Sequence, residues 1–214
     1  MLELLFLHIP KTGGSSLYEM AKAVYGPDGA RWYSRKMYLE AVESGCDFCD
    51  MLGDDVKSLH GHFHFHELKK TIEIHKPKIV TFFRDPVQRV ISNYKWWNYG
   101  VTKNPDHAVR DRMDETFEVY ITRSETQNKI TRFFGDCRFE DLFFWGFLES
   151  FNDDVAELAK RLGWPEMDGI HEKNSAEYRK VPLEIDERTL KRVRRLNRRD
   201  YKIYNKAKRL KEEL

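Results

Sequence analysis

The 214-residue chain has only three cysteines, Cys46, Cys49 and Cys137. So few exclude a disulfide framework and point to a reducing compartment, the cytoplasm. No stretch approaches the about 20 consecutive apolar residues that span a bilayer. No basic segment followed by a long apolar stretch opens the sequence, so a signal peptide is not expected. There is no internal repeat and no low-complexity linker. Charge of one sign is not in excess either. Thirty-seven Lys and Arg against 35 Asp and Glu give a net +2, which argues against a general nucleic-acid coat. What the chain does have is 41% hydrophobic and 14% aromatic residues. At this length that composition predicts a single domain over residues 1–214 with a substantial core.

The most informative stretch is the first. Leu4 to Leu7 is an apolar run of strand length, and His8 to Ser16 (HIPKTGGSS) is a turn rich in Gly, Ser and Thr. Leu17, Met20, Ala21 and Val24 then recur at helix spacing. A strand, a glycine turn and a helix N-terminus make a phosphate cradle, because first-turn amides lack intrahelical partners and sit at the positive end of the helix dipole. Gly13 and Gly14 let an anion approach the backbone, and Lys11 adds a full charge. A nucleoside-triphosphate loop reads G-x-x-x-x-G-K-[ST]. Here Lys11 precedes the glycines and no glycine precedes Lys11, so that motif fails. An ordinary strand-to-helix turn is the other reading of the segment alone.

A second candidate anion site follows the KIVTFF strand (Lys78 to Phe83). Asp85 suits a helix N-cap and Pro86 the first helical position, and Val87, Val90, Ile91 and Tyr94 give a helical face. Arg84 therefore stands where a strand ends and a helix begins, and Ser92 lies two turns along. Arg84 has two readings, a bidentate phosphate contact or a pair with a core carboxylate. Asp85 and Arg89 are spaced to pair at i, i+4.

Leu59 to His66 reads LHGHFHFH, and in an extended strand His60, His62, His64 and His66 would share one face. Three readings stand: a metal site, a general base beside a bound cosubstrate, and histidines without chemistry. Cys46-x-x-Cys49 has no second pair to complete a zinc site and reads as two loop thiols. Further strands are expected at Asp54 to His60 and Asp141 to Phe147, with helical patterns over Asp114 to Phe134 and Phe151 to Leu162, the latter closed by Gly163. Strands alternating with helices predict an α/β fold with a central, mostly parallel sheet. Lys191 to Lys211 holds eleven Lys or Arg against one acid, Asp200. With Val193, Leu196, Ile203, Ala207 and Leu210 on one face, it predicts a terminal helix packed on the domain. Its solvated basic face could attract anionic ligands or acceptors, and a nucleic-acid helix is the competing reading.

Taken together, these motifs resemble the sulfotransferases that use 3′-phosphoadenosine 5′-phosphosulfate (PAPS). P-K-T-G-G-S-S is similar to their 5′-phosphosulfate loop. FFRDPVQRVISNY resembles their 3′-phosphate motif R-D-P-x-x-R-x-x-S-x-Y, matching at Arg84, Asp85, Pro86, Arg89, Ser92 and Tyr94. H-G-H upstream resembles the hexuronyl 2-O-sulfotransferases. Weaker likenesses lie in NKITRFFG (128–135), FWGFLESF (144–151), EKNSAEYRKVP (172–182) and LNRRDYKIYNKA (196–207).

The resemblance implies a P-loop-like three-layer fold and PAPS as cosubstrate, with PAP as product and no metal required. Lys11, Thr12, Gly13, Gly14, Ser15 and Ser16 would hold the phosphosulfate. Arg84 and Ser92 would hold the 3′-phosphate, with Asn174 and Ser175 as weaker cosubstrate contacts. His62 would be the base, with Lys11 also catalytic. His60 would be a weak substrate contact. Apart from the resemblance, Trp96, Trp97 and Tyr99 follow the second motif, and two readings stand for them: stacking on a sugar ring, with Trp96 a weak substrate contact, or aromatic core and edge packing. The acceptor would be a hydroxyl on a carbohydrate or small metabolite, and nucleic acid is not an expected partner. His64 and His66 depart from the family pattern and keep the metal reading open. The Golgi members carry a membrane anchor and stem, so a soluble relative is expected. Two other classes remain: a P-loop nucleotide kinase using ATP and Mg²⁺, and a non-catalytic nucleotide- or polyanion-binding module.

Overall fold

The computed structural model describes residues 1–33, 35–45, 53–100, 115–165 and 177–213. Cys46, Cys49, Asn174 and Ser175 lie outside the described residues. The elements in chain order are β1 (Leu4–Leu7), α1 (Gly14–Gly29), β2 (Ala30–Tyr33), α2 (Arg35–Glu43), β3 (Ser58–Gly61), α3 (Lys69–His75), β4 (Lys78–Phe83), α4 (Pro86–Lys95), α5 (Phe117–Tyr120), α6 (Lys129–Phe134), β5 (Phe144–Phe147), α7 (Phe151–Leu162), α8 (Glu187–Leu196) and α9 (Arg198–Glu212). Among the described residues no helix is long and apolar enough to cross a membrane. Backbone contacts group the chain into two compact units. One comprises Met1–Phe83 with Arg132–Glu172, and the other Arg84–Thr131 with Lys173–Leu214.

The first unit is built on a five-stranded sheet in the order β2-β3-β1-β4-β5, with every pairing parallel. β1 is central and buried along its whole length, which is why LLFL reads as an unbroken apolar run rather than an alternation. The Thr81 hydroxyl donates to the Leu7 carbonyl at 2.8 Å, an added tie between β4 and β1. On one face Leu4, Phe6, Val80, Phe82 and Phe144 pack against Leu17, Met20 and Ala21 of α1 and Phe151, Val155 and Leu158 of α7. On the other, the Phe83 ring meets those of Phe134, Phe139 and Phe147. Each such side chain contributes about 1.5–3 kcal/mol on burial. The chain leaves β1 towards β2 and leaves β4 towards β5, so the carboxyl ends of these neighbours mark the topological switch point where such sheets bind ligands.

Several expected elements are corrected. The strand expected at Asp54 to His60 runs instead from Ser58 to Gly61. Beyond it, Phe65–Leu68 is a 3₁₀ turn, so the four alternating histidines do not share one strand face. The helical pattern over 114–134 is divided among α5, a 3₁₀ turn at Ser124–Thr126, and α6. β2 and α2 stand in addition to the elements the sequence pattern predicts.

The second unit has its own core, in which Val87, Val90 and Tyr94 meet Phe117, Tyr120, Ile121 and Val193. The single C-terminal helix is in fact two, broken at Asn197, whose side chain donates to the Val193 carbonyl at 3.0 Å and accepts from the Asn128 amide at 2.9 Å. Asp200 is fully buried and caps the first turn of α6 from a distance in sequence. Its carboxylate accepts from the Ile130 amide at 3.1 Å and from the Thr131 amide and hydroxyl at 2.8 Å each. Asp200→Ala leaves the buried Ile130 amide and the half-buried Thr131 amide and hydroxyl without that acceptor, so a loss of about 2–4 kcal/mol is expected in urea unfolding.

Candidate active site

β1 ends at Leu7, and the next six residues turn the chain into α1. The turn is held from within: the Thr12 hydroxyl, buried, donates to the Ile9 carbonyl at 2.8 Å. Lys11 adopts φ 73° and Gly13 φ 91°, left-handed conformations that only Gly takes without strain. Gly13 is the N-cap of α1, with no side chain capping it and no acid in the first turn. The Ser16 and Leu17 amides turn back to the Gly13 carbonyl at 3.0 and 3.3 Å. Ser15 is exposed and Ser16 buried, while Lys11 is half-buried. A helix N-terminus without its own carboxylate, a lysine and the hydroxyls of Ser15 and Ser16 form a donor set that suits a phosphate or sulfate group.

Behind this turn lies a cluster of rings that sequence spacing does not reveal. The β1–β3 register sets Phe6 against His60 and Leu7 against Gly61, so the residues just past the two strands, His8 and His62, come level. Their rings stack at 4.3 Å between centroids. His60 lies on β3, 1% exposed, stacked on Trp32 at 5.0 Å and tilted against Phe6 at 4.6 Å. His60, expected to help contact the acceptor, thus sits in the interior beneath His8 and His62.

Burial, with the neighbouring His62, holds the His60 ring at about 3, against the opposing pull of the Gly14 backbone. Burial also holds His8 well below the ordinary histidine range, helped by His62, His60 and Lys11. Both rings are therefore neutral near pH 7. His8 was missed as a site residue. The β1–β3 register would have found it, but nothing local does.

His62 is half-buried, and its Nδ1 lies 3.1 Å from the His8 carbonyl oxygen. A carbonyl only accepts, so Nδ1 carries the proton and donates. The lone pair of the neutral ring is then on Nε2, which is the tautomer a base requires.

In the second unit, Arg84 is half-buried and Ser92 is buried on α4. Asp85 is the N-cap read from sequence: its Oδ1 accepts from the Gln88 amide at 3.0 Å and its Oδ2 from the Tyr201 hydroxyl at 3.0 Å. Burial and the Asp85 charge push the Tyr201 phenol up to about 12. Arg89 is fully buried and its Nη2 donates to the Thr126 carbonyl at 3.1 Å. Trp96 is half-buried and meets Trp97 edge-on at 4.7 Å.

The family model of the sulfotransferase family matches residues 2–207. Among solved structures, mouse sulfotransferase SULT7A1 complexed with PAP aligns at 15% identity with a TM-score of 0.53, covering 79% of this chain and 60% of that one. A retinol dehydratase in complex with androsterone and inactive cofactor PAP aligns at 13% identity and a TM-score of 0.36, covering 89% of this chain and 62% of that one. The chain thus spans less than two thirds of either structure's length. Among curated proteins nothing matches. With a match over nearly its whole length, and the parallel sheet and N-terminal glycine turn described above, the chain belongs to the sulfotransferase family.

Proposed function

We propose that this protein transfers the sulfuryl group of PAPS to a hydroxyl acceptor by in-line attack, with His62 as the base. The observation that carries the reading is the glycine turn at the start of α1 beside a histidine whose Nδ1 is held by the His8 carbonyl. Bound PAPS supplies an activated sulfuryl group. Lys11 and the backbone of Thr12 to Ser16 neutralise the phosphosulfate and the charge that grows on the departing phosphate. Arg84 and Ser92 hold the 3′-phosphate. Nε2 of His62 takes the acceptor's proton as the new S–O bond forms, since a hydroxyl is almost wholly protonated near pH 7.

The acceptor in this reading is a carbohydrate hydroxyl, with the Trp96 ring as a stacking surface. A nucleotide kinase would need a Mg²⁺-binding carboxylate by the phosphates. Asp85, the strand-end candidate, is instead engaged by the Gln88 amide and the Tyr201 hydroxyl. The polyanion-binding reading draws support from Arg188, Lys191, Arg192 and Arg195, which line one concave surface along α8, although Glu118 and Asp186 line it too.

Thermal unfolding with PAP, ADP or ATP, each with and without Mg²⁺, separates the three. The proposal expects PAP to raise Tm most, independently of Mg²⁺. Mg²⁺-dependent stabilisation by ATP would favour the kinase. Stabilisation by any polyanion, falling steeply with salt and surviving Lys11→Ala, would favour the binding module.

A further inference from the structure

His64 and His66 take no part in the proposed transfer, and their placement gives them another use. The chain leaves β3 at Gly61 and enters the 3₁₀ turn Phe65–Leu68 with His64 as its N-cap. The Glu67 carboxylate folds back over this turn, and its Oε2 accepts from the His64 amide at 2.7 Å. That bond fixes a carboxylate only 5% exposed, while its Oε1 stands 3.9 Å from His64 Nδ1. The Phe133 ring meets His64 edge-on at 4.9 Å and sets its orientation. The His66 ring, at the exposed side, lies 5.5 Å from that of His64. One ligand atom from each of His64, His66 and Glu67 falls within 4.8 Å of the other two. Lys69, which follows the turn, is paired with Asp136, so its charge is already balanced.

We propose that His64, His66 and Glu67 form a binding site for a divalent transition metal of the zinc type. Two imidazoles and one carboxylate are a donor set for such an ion, and three protein ligands leave a fourth position to water. A cation would bring these groups closer by up to about 1.5 Å, since tetrahedral ligands at about 2.0–2.1 Å from zinc lie about 3.3 Å apart, against 4.8 Å here. Two ligands are already ordered by the turn, so the adjustment falls on the exposed His66 ring. The site would tie the segment after His62 to the start of α3 and needs no cosubstrate.

Titration of the untagged full chain with Zn²⁺ in a calorimeter tests it, with Co²⁺ absorption as a second readout. One equivalent is expected to bind, and Co²⁺ should show a tetrahedral spectrum without a thiolate charge-transfer band. His66→Ala removes an exposed ligand and leaves the fold intact. It should weaken Zn²⁺ binding by at least the about 10-fold that follows loss of an outer-shell partner. Cys46→Ser should change nothing. No binding at millimolar Zn²⁺, equal affinity in parent and His66→Ala, or loss of binding in Cys46→Ser would each overturn the assignment. None of these outcomes depends on whether the protein transfers sulfate.

Discussion

His62→Asn should lose turnover by about 10²–10⁴-fold while PAP affinity stays within about threefold of the parent. In the proposed reaction the acceptor hydroxyl holds its proton near pH 7, and that proton must leave as the S–O bond forms. In its neutral form the His62 ring carries its lone pair at Nε2, because Nδ1–H donates to the His8 carbonyl at 3.1 Å. Asparagine keeps a donor for that carbonyl but offers no basic nitrogen, so it separates chemistry from support of the ring cluster. Arg84→Ala is the contrasting variant, in which PAP affinity should fall. Turnover is read as PAP released with an acceptor that supports the parent, and affinity by calorimetry with PAP. If PAP affinity fell as far in His62→Asn as in Arg84→Ala, His62 would be a binding residue and the base would have to be sought elsewhere.

The parts of this site legible in the sequence are those written in contiguous residues. Leu4 to Leu7 is fully buried, so its apolar run announces a strand without help from the rest of the chain. Asp85-Pro86 caps and starts α4 as the residue types demand. Gly163 ends α7 at φ 69°, a conformation that favours glycine. Wherever a distant residue decides, the local signal fails. Asn197 breaks the basic helix because Asn128, 69 positions away, donates to its side chain, while the apolar spacing continues across the break. Gly26, at φ 76° and ψ 171°, does break the helical path of α1 before Pro27, and the chain then leads straight into β2. β2 itself is four residues with one exposed arginine, too short for a pattern.

The histidines show the same division more sharply. Period two over LHGHFHFH suggests one face, but it describes a strand that stops at Gly61. The grouping that matters is His8 with His60 and His62, and it follows from parallel register rather than from spacing. The motif resemblance reached His62 by analogy. The β1–β3 register supplies the physical reason that its tautomer is defined, and the Glu67 fold-back explains why His64 and His66 belong to a different group.

Gly14→Ala should cost about 3 kcal/mol in urea unfolding, and the cause should be a single ring. Gly14 has no positive φ, so its requirement for glycine is not conformational. A Cβ there would lie 1.9 Å from His8 Nε2 and 2.1 Å from His8 Cδ2. The His8 ring is buried, stacked on His62 at 4.3 Å and edge-on to Trp32 at 5.1 Å, so it cannot step aside without moving its neighbours. A shift that carries the His8 backbone with its ring also moves the carbonyl that meets His62 Nδ1, and on the proposed mechanism turnover should then fall together with stability.

A double-mutant cycle with His8→Ala isolates the clash. Removing the ring gives the new methyl room, so the double variant should be no less stable than His8→Ala alone, and the coupling should approach the whole cost of Gly14→Ala. Simple additivity would mean that the methyl harms the start of α1 itself. The absence of a side chain at position 14 would then serve the backbone, not the histidine behind it.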